Sequence, residues 1–190
     1  MANKYYDILR APHQVAFDIT NNCNLRCLHC FNSSGENDVI SNELSDGEVL
    51  HFIEDLASMN LYNVCFCGGE TLLRKELMCE CIKILKPSGS HCTAVTNGLL
   101  ANPATIQQLA SAGLDGIQFS LDGLRDSHER LRNKVGIFPK VIDAMKYVLN
   151  ETGLRLSIAF TPTSFNVKDF LGVYDLLVDL YEKSNRTTGS

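Results

Sequence analysis

Cys23-Asn24-Leu25-Arg26-Cys27-Leu28-His29-Cys30 places three thiols in one short stretch, directly after an apolar run at 15–19. Thiolates separated by three and then two residues on a loop can converge on a single inorganic centre. They supply three ligands, whereas a closed structural zinc site takes four and an all-cysteine [4Fe-4S] cluster also takes four. Three thiolates on such a cluster leave one iron open, and an open metal position marks a site that binds something reactive. The competing reading is a zinc site completed by His29 or by a distant cysteine.

The composition around this stretch is ordinary. A chain of 190 residues, 45% hydrophobic and 21% charged, builds one sizeable core and reads as a single globular domain. Its formal net charge of -5 gives no broad attraction to nucleic acid or to an anionic membrane. The opening residues show no basic-then-apolar signal pattern, and no apolar run approaches the roughly 18 residues that a spanning helix needs. The expectation is a cytoplasmic protein with neither a membrane nor a nucleic acid as partner. Eight cysteines in such a chain argue for metal or chemistry over disulfides. Cys65 and Cys67 are read as facing opposite sides of a strand, and Cys79 and Cys81 as lying about 200° apart on a helix. Neither pair makes a Cys-x2-Cys claw. Cys65, Cys79, Cys81 and Cys92 are therefore expected as small buried hydrophobes, and Cys67, directly before Gly68, near the cysteine loop.

Outward from the cysteines, strands and helices alternate. A strand over 15–20 ends at Asn21-Asn22, and polar residues 31–44 continue the loop in solvent. Ser45 and Glu48 form a capping box for a helix carrying Val49, Phe52, Ile53 and Leu56, to about Met59. A strand over 63–67, small or apolar throughout and so expected to be covered on both faces, leads into Gly68-Gly69-Glu70 and a helix that Pro87 stops. A third strand, 92–96, meets the Asn97-Gly98 turn; Asn102-Pro103 opens a helix that ends near Gly113. A fourth, 116–121, meets Asp122-Gly123, a helical turn over 127–131 and a helix over 139–150. A fifth strand, 156–161, precedes a helix capped by Asn166 with Phe170, Val173, Leu177 and Leu180 on its apolar side. Five such units make an α/β fold with a parallel sheet and outer helices, and in such folds chemistry sits at the C-terminal strand ends.

Cys23, Cys27 and Cys30 in a Cys-x3-Cys-x2-Cys pattern, followed in order by Gly68-Gly69-Glu70, Thr96-Asn97-Gly98 and Ser120-Leu121-Asp122-Gly123, resemble the radical S-adenosylmethionine (radical SAM) enzymes. The further run His128, Arg132, Gly136 and Phe138 resembles the peptide- and protein-modifying branch with a SPASM-type C-terminal domain. The resemblance implies a partial TIM-like (β/α) barrel, with five units present and the sixth missing. It divides the chain into a lead-in at 1–14, a truncated core at 15–183 and a disordered or added tail at 184–190.

It also implies the chemistry. The three cysteines would hold a [4Fe-4S] cluster whose open iron is chelated by S-adenosyl-L-methionine, cleaved by one electron to a 5'-deoxyadenosyl radical that abstracts hydrogen from the substrate. Gly68 and Gly69 let backbone approach the cofactor closely, and Glu70 accepts from its amino group; alone, Gly-Gly-Glu is a common tight turn. The family usually has proline where Thr71 stands, which bears on the shape of that turn. Thr96 and Asn97 contact the carboxylate or ribose, although Asn-Gly is equally an ordinary turn. Ser120 and Asp122 suit the ribose hydroxyls or the methionyl end. Arg132 pairs with the cofactor carboxylate or is one of several solvated charges, and His29, where the family favours an aromatic side chain, packs near the adenine or fills the loop. The implied substrate is a peptide or protein, as in maturation of a ribosomally made peptide or a sulfatase-maturase-like reaction, with haem or quinone-cofactor maturation as the alternative. The implied electron donor is a flavodoxin or ferredoxin.

Overall fold

The computed structural model describes residues 12–35 and 42–187. Five parallel strands, β1 (Gln14–Thr20), β2 (Asn63–Gly68), β3 (His91–Thr96), β4 (Gly116–Ser120) and β5 (Arg155–Ala159), lie side by side in chain order. That order arises when each connection crosses the same face in the same sense, which curls the sheet toward a barrel with its helices outside. The helices are α1 (Asp46–Ser58), α2 (Lys75–Leu85), α3 (Pro103–Ala112), α4 (Arg125–Leu131), α5 (Ile137–Glu151) and α6 (Phe170–Thr187). They pack in succession, α1 on α2, α2 on α3, α3 on α5 and α5 on α6. No helix among the described residues is long and apolar enough to cross a membrane.

Local sequence explains where these elements start and stop. Ser45 accepts from the Glu48 N–H while Glu48 accepts from the Ser45 N–H, the reciprocal cap that opens α1. The Asn102 side chain accepts from the Thr105 N–H with Pro103 as first helical residue, and Gly113, at φ +101°, ends α3. A 3-10 turn at Thr71–Arg74 precedes α2, and Pro87 sits in the 3-10 turn Lys86–Ser88 that finishes it.

The two faces of the sheet differ. Val64 and Phe66, Cys92 and Ala94, and Ile117 and Phe119 are buried beneath Ile53, Ile82, Leu109 and Met145 from the helices. The alternate positions, among them Cys65, Cys67, Thr93, Val95, Gln118 and Ser120, are half-buried and face the inside of the curl. β2 is thus covered on one face only, contrary to the expectation from its apolar sequence, because five strands do not close a barrel. Two cysteine assignments change with it. Residues two apart on a strand share a face, so Cys65 and Cys67 lie together with their Sγ atoms 3.5 Å apart, and Cys65 is half-buried where full burial was expected. Cys79, Cys81 and Cys92 are buried as expected, and all eight thiols are free.

Two boundaries also move. Ser184 and the backbone to Thr187 continue α6, where the sequence suggested a break at 184. Asn166 stands at the N-cap position of the 3-10 turn Val167–Asp169 before α6, but its side chain makes no capping bond and bonds elsewhere, as described below. Most of the expected lead-in, and part of the loop at 31–44, lie outside the described residues.

Candidate functional site

The exits of β1 and β2 are locked together. The Gly69 N–H donates to the Thr20 carbonyl (2.8 Å) and the Glu70 N–H to that of Asn22 (2.9 Å). A Cβ on Gly68, whose φ is +128°, would stand 2.2 Å from the Thr20 oxygen, and one on Gly69 would stand 2.3 Å from that of Asn22. The glycine pair is therefore demanded by the start of the cysteine loop as well as by its position on the cavity wall. The loop itself is pinned at Arg26, whose guanidinium donates to the Cys23 and Leu25 carbonyls, and at Leu28, whose N–H donates to Leu131 at the end of α4 (2.8 Å).

Between this loop and the strand ends lies a cavity of about 260 Å³. Cys23, Cys27, His29 and Cys30 line it from the loop, and Gly68, Gly69, Thr96, Asn97, Ser120 and Arg132 are among the residues that line it from the strand ends and α4. The structure thus gathers ten of the twelve expected site residues around one space. Glu70 and Asp122 stand behind it, each at most 1% exposed. Cys67 is not among the residues lining this cavity; it lies on the inner sheet face beside Cys65, directly before the lining Gly68.

Both carboxylates are occupied with holding the wall. Glu70 Oε1 accepts from the Leu72 N–H (3.1 Å) and the Thr96 hydroxyl (2.7 Å), and Oε2 from the Asn97 N–H (2.8 Å). Burial pushes its pKa up, and those three hydrogen bonds oppose the rise. Asn97, so fixed, donates through Nδ2 to Asn24 Oδ1 (2.8 Å) and lies 4.0 Å from Cys23 Sγ. Glu70 therefore links the ends of β2 and β3 to the cysteine loop.

Asp122 does the same for β4, β5 and α4. Its Oδ1 accepts from the Thr161 N–H (2.9 Å); its Oδ2 lies 2.5 Å from Arg132 Nη2 and 3.2 Å from His29 Nε2. Burial alone would raise its pKa, but the His29 hydrogen bond, the Arg132 charge and the Thr161 N–H together bring it down to about 2. The Asp122 N–H donates to His128 Nδ1 (3.1 Å), and burial followed by the Arg132 charge lowers the His128 pKa to about 4, which keeps that acceptor neutral. Arg132 Nη1 reaches Cys27 Sγ at 3.7 Å. Burial pushes the Cys23 and Cys27 thiols up, and at Cys27 the guanidinium opposes this.

Among the contributors not identified in the sequence, two hold Asp122 and its surroundings. Thr161 lines the cavity as well as holding Asp122. Asn166, fully buried, donates to the Asp122 carbonyl (2.7 Å) and the Thr161 carbonyl (2.9 Å) while accepting from Thr163. The nearest sequence signal was the Thr163-x-x-Asn166 spacing, which also reads as a cap.

The donor set can be tested against the implied cofactors. Among the described residues no three histidine, cysteine or acidic side chains converge closely enough to hold one metal ion. Three free thiols nevertheless line the cavity together, the number of thiolates that leaves one iron of a [4Fe-4S] cluster open. Opposite them, hydroxyls, amides and one guanidinium suit a small ligand bearing a carboxylate and hydroxyl groups.

Comparison with known proteins agrees. The model of the Radical SAM superfamily matches residues 17–177. The chain is 32% identical to the Fe-coproporphyrin III synthase of Methanosarcina barkeri over 86% of its own length and 40% of that protein. It is 29% identical to the mycofactocin maturase MftC of Mycolicibacterium smegmatis over 95% of its length and 45% of that relative, so it spans less than half of either. Among solved structures, Streptococcus suis SuiB bound to S-adenosylmethionine superposes with a TM-score of 0.72 at 20% identity, covering 89% of this chain and 38% of SuiB.

Proposed function

The chain belongs to the radical SAM superfamily, whose members use a [4Fe-4S] cluster and S-adenosylmethionine, and from that premise we propose that it is the catalytic core of a cytoplasmic enzyme that modifies a peptide or protein. The observation that carries this reading is the three-thiol wall facing a polar cavity at the strand ends. Cys23, Cys27 and Cys30 would hold the cluster, which supplies the electron for reductive cleavage of the sulfonium cofactor.

The rest of the work falls to the protein's own groups. Arg132 places a positive charge beside Cys27 and toward any carboxylate in the cavity. Asp122, gripping Arg132 and His29 at once, fixes both against the cysteine loop. Thr96, Asn97 and Ser120 offer hydroxyl and amide groups to a polar ligand, with Glu70 setting the first two. A flavodoxin or ferredoxin would deliver the electron.

Peptide modification is favoured by the likeness to a mycofactocin maturase over nearly the whole chain. A second reading, modification of a tetrapyrrole, is supported by the likeness to Fe-coproporphyrin III synthase. Anaerobic reconstitution with iron and sulfide, followed by reduction with S-adenosylmethionine and an assay for 5'-deoxyadenosine, tests the common core. About four irons per chain with the product formed is the expected result, and bound zinc with no product refutes it. Which added substrate stimulates 5'-deoxyadenosine formation, a candidate precursor peptide or an iron porphyrin, separates the two substrate readings.

A further inference from the structure

Asn24 enters the site described above only as an acceptor, through Oδ1. Which end of its amide is the oxygen follows from the neighbouring donors. The Leu99 N–H can only donate, and it meets Asn97 Oδ1 at 3.0 Å, so the far end of the Asn97 amide is its nitrogen. That nitrogen stands 2.8 Å from the Asn24 amide, so the Asn24 atom it meets is the oxygen and the other end is an NH2 group. Turning either amide over would set like against like at one of these two contacts. Asn24 Nδ2 is buried and has no hydrogen-bond partner among the described residues, and the same is true of His29 Nδ1 and Arg132 Nε. All three belong to residues that flank the thiols: Asn24 next to Cys23 and His29 next to Cys30 in the chain, and Arg132 at 3.7 Å from Cys27 Sγ through Nη1. A buried N–H group without an acceptor is costly, so an acceptor is called for on this side of the cavity. Asn97, itself only 5% exposed, gives one Nδ2 hydrogen to Asn24 and lies 4.0 Å from Cys23 Sγ with the other. Both amides therefore stand on the Cys23 side of the site.

We infer that the Asn24 and Asn97 side-chain amides are a pair of neutral hydrogen-bond donors to the Cys23 end of the iron–sulfur cluster, Asn97 to the Cys23 sulfur and Asn24 to a cluster sulfur beside it, and that together they raise its reduction potential. The inference rests on the cluster-binding role proposed above for Cys23, Cys27 and Cys30. Reduction adds one negative charge that is spread over the sulfurs, so donors on sulfur hold the reduced cluster more strongly than the oxidised one. Neutral amides do this without placing a fixed charge in the cavity. They are also locked in sequence, Leu99 and Glu70 holding Asn97 and Asn97 holding Asn24, so that they need not turn when the electron arrives. Arg132 acts differently on Cys27, because its charge is shared with Asp122.

The test uses the chain loaded anaerobically with iron and sulfide, without S-adenosylmethionine. Protein carrying a heavy-nitrogen label only in its asparagine side-chain amides is reduced and measured by pulsed EPR. The wild type is expected to show hyperfine coupling between the label and the reduced [4Fe-4S] cluster, and Asn24→Ala to lose part of it. In an EPR-monitored redox titration, Asn24→Ala and Asn97→Ala, which change no charge, are each expected to lower the potential, so that at the wild-type midpoint the ratio of reduced to oxidised cluster falls about threefold or more. A residue that merely shaped the loop would leave that ratio unchanged. A wild-type cluster without the coupling overturns the inference and needs no variant, so the question is decided even where a variant loads no cluster. An unchanged ratio in either variant also overturns it, as does a coupling that appears only once S-adenosylmethionine is added, which would assign the amides to the cofactor. A wild type that assembles no [4Fe-4S] cluster overturns the proposed function and this inference with it; a cluster of ordinary EPR signal without the coupling overturns this inference alone.

Discussion

Replacing Asp122 with Asn removes a charge and almost no volume, so its consequences isolate the electrostatic role of the carboxylate. In the native chain that group is fully buried and held by Arg132, His29 and the Thr161 N–H. Its folded pKa, about 2, lies below the ordinary 3.8, and a depression of nearly two units corresponds to about 2–3 kcal/mol of stability. The sign follows from the direction: a carboxyl whose pKa falls on folding stabilises the fold above its unfolded value and loses that contribution as pH drops through the folded one. In Asp122→Asn the Thr161 N–H keeps an acceptor, but an amide donor can turn toward a guanidinium that is only 12% exposed. Removing one partner of a buried pair costs about 3–5 kcal/mol. Arg132 reaches the cavity edge, which places the cost near the lower end, and in a domain of this size about 3 kcal/mol lowers Tm by roughly 6–12 °C. Urea unfolding of the cluster-free chain, wild type against variant, measures the difference from pH 7 to pH 3. It should stay constant down to about pH 4 and shrink below that. A difference under about 1 kcal/mol at pH 7 would refute the reasoning, and one that changed between pH 7 and pH 5 would assign the effect to an imidazole instead.

Three further outcomes follow from the same contacts. Gly68→Ala drives a methyl into the Thr20 carbonyl oxygen at a positive φ; nothing there yields without breaking the link between β1 and β2, so a loss of more than roughly 4 kcal/mol is expected, read as soluble yield and urea midpoint. Asn166→Ala leaves the Asp122 and Thr161 carbonyls and the Thr163 N–H without that partner and should cost roughly 2–4 kcal/mol in urea unfolding; Asn166→Asp should not rescue it, since a carboxylate has no hydrogen to give the two carbonyls. Arg132→Gln takes a positive charge from beside Cys27, which should lower the reduction potential of the reconstituted cluster by on the order of 100 mV, measured by EPR-monitored titration; an unchanged potential would show that the guanidinium does not act on the thiolate.

The sequence made the sheet and the place of the site legible because both rest on short-range signals. Alternating strand and helix patterns, the Ser45 and Asn102 caps and the rule that chemistry collects at strand ends put Gly68, Thr96 and Ser120 around one cavity before any coordinates. The facing of Cys65 and Cys67 was equally available, since positions two apart on a strand share a side, but the expectation of opposite faces missed it. Other features depended on residues far away in the chain. Asn166 reads as a cap until β4 is seen to bring the Asp122 carbonyl within 2.7 Å of it, across 44 residues of sequence. Glu70 and Asp122 look like ligand acceptors because a carboxylate at a strand end usually faces the ligand. Which way it turns is decided by competing donors, and here the Leu72 and Asn97 N–H groups, the Thr96 hydroxyl, the Thr161 N–H and Arg132 all lie on the protein side. That inward turn has an electrostatic consequence. With both acids withdrawn from the wall, Arg132 is, among the described residues, the one lining side chain besides the thiols and His29 that can carry a charge. A cavity whose fixed charge is positive favours the ionised form of thiols that burial would otherwise keep protonated, and it favours an anionic group on whatever binds beside them.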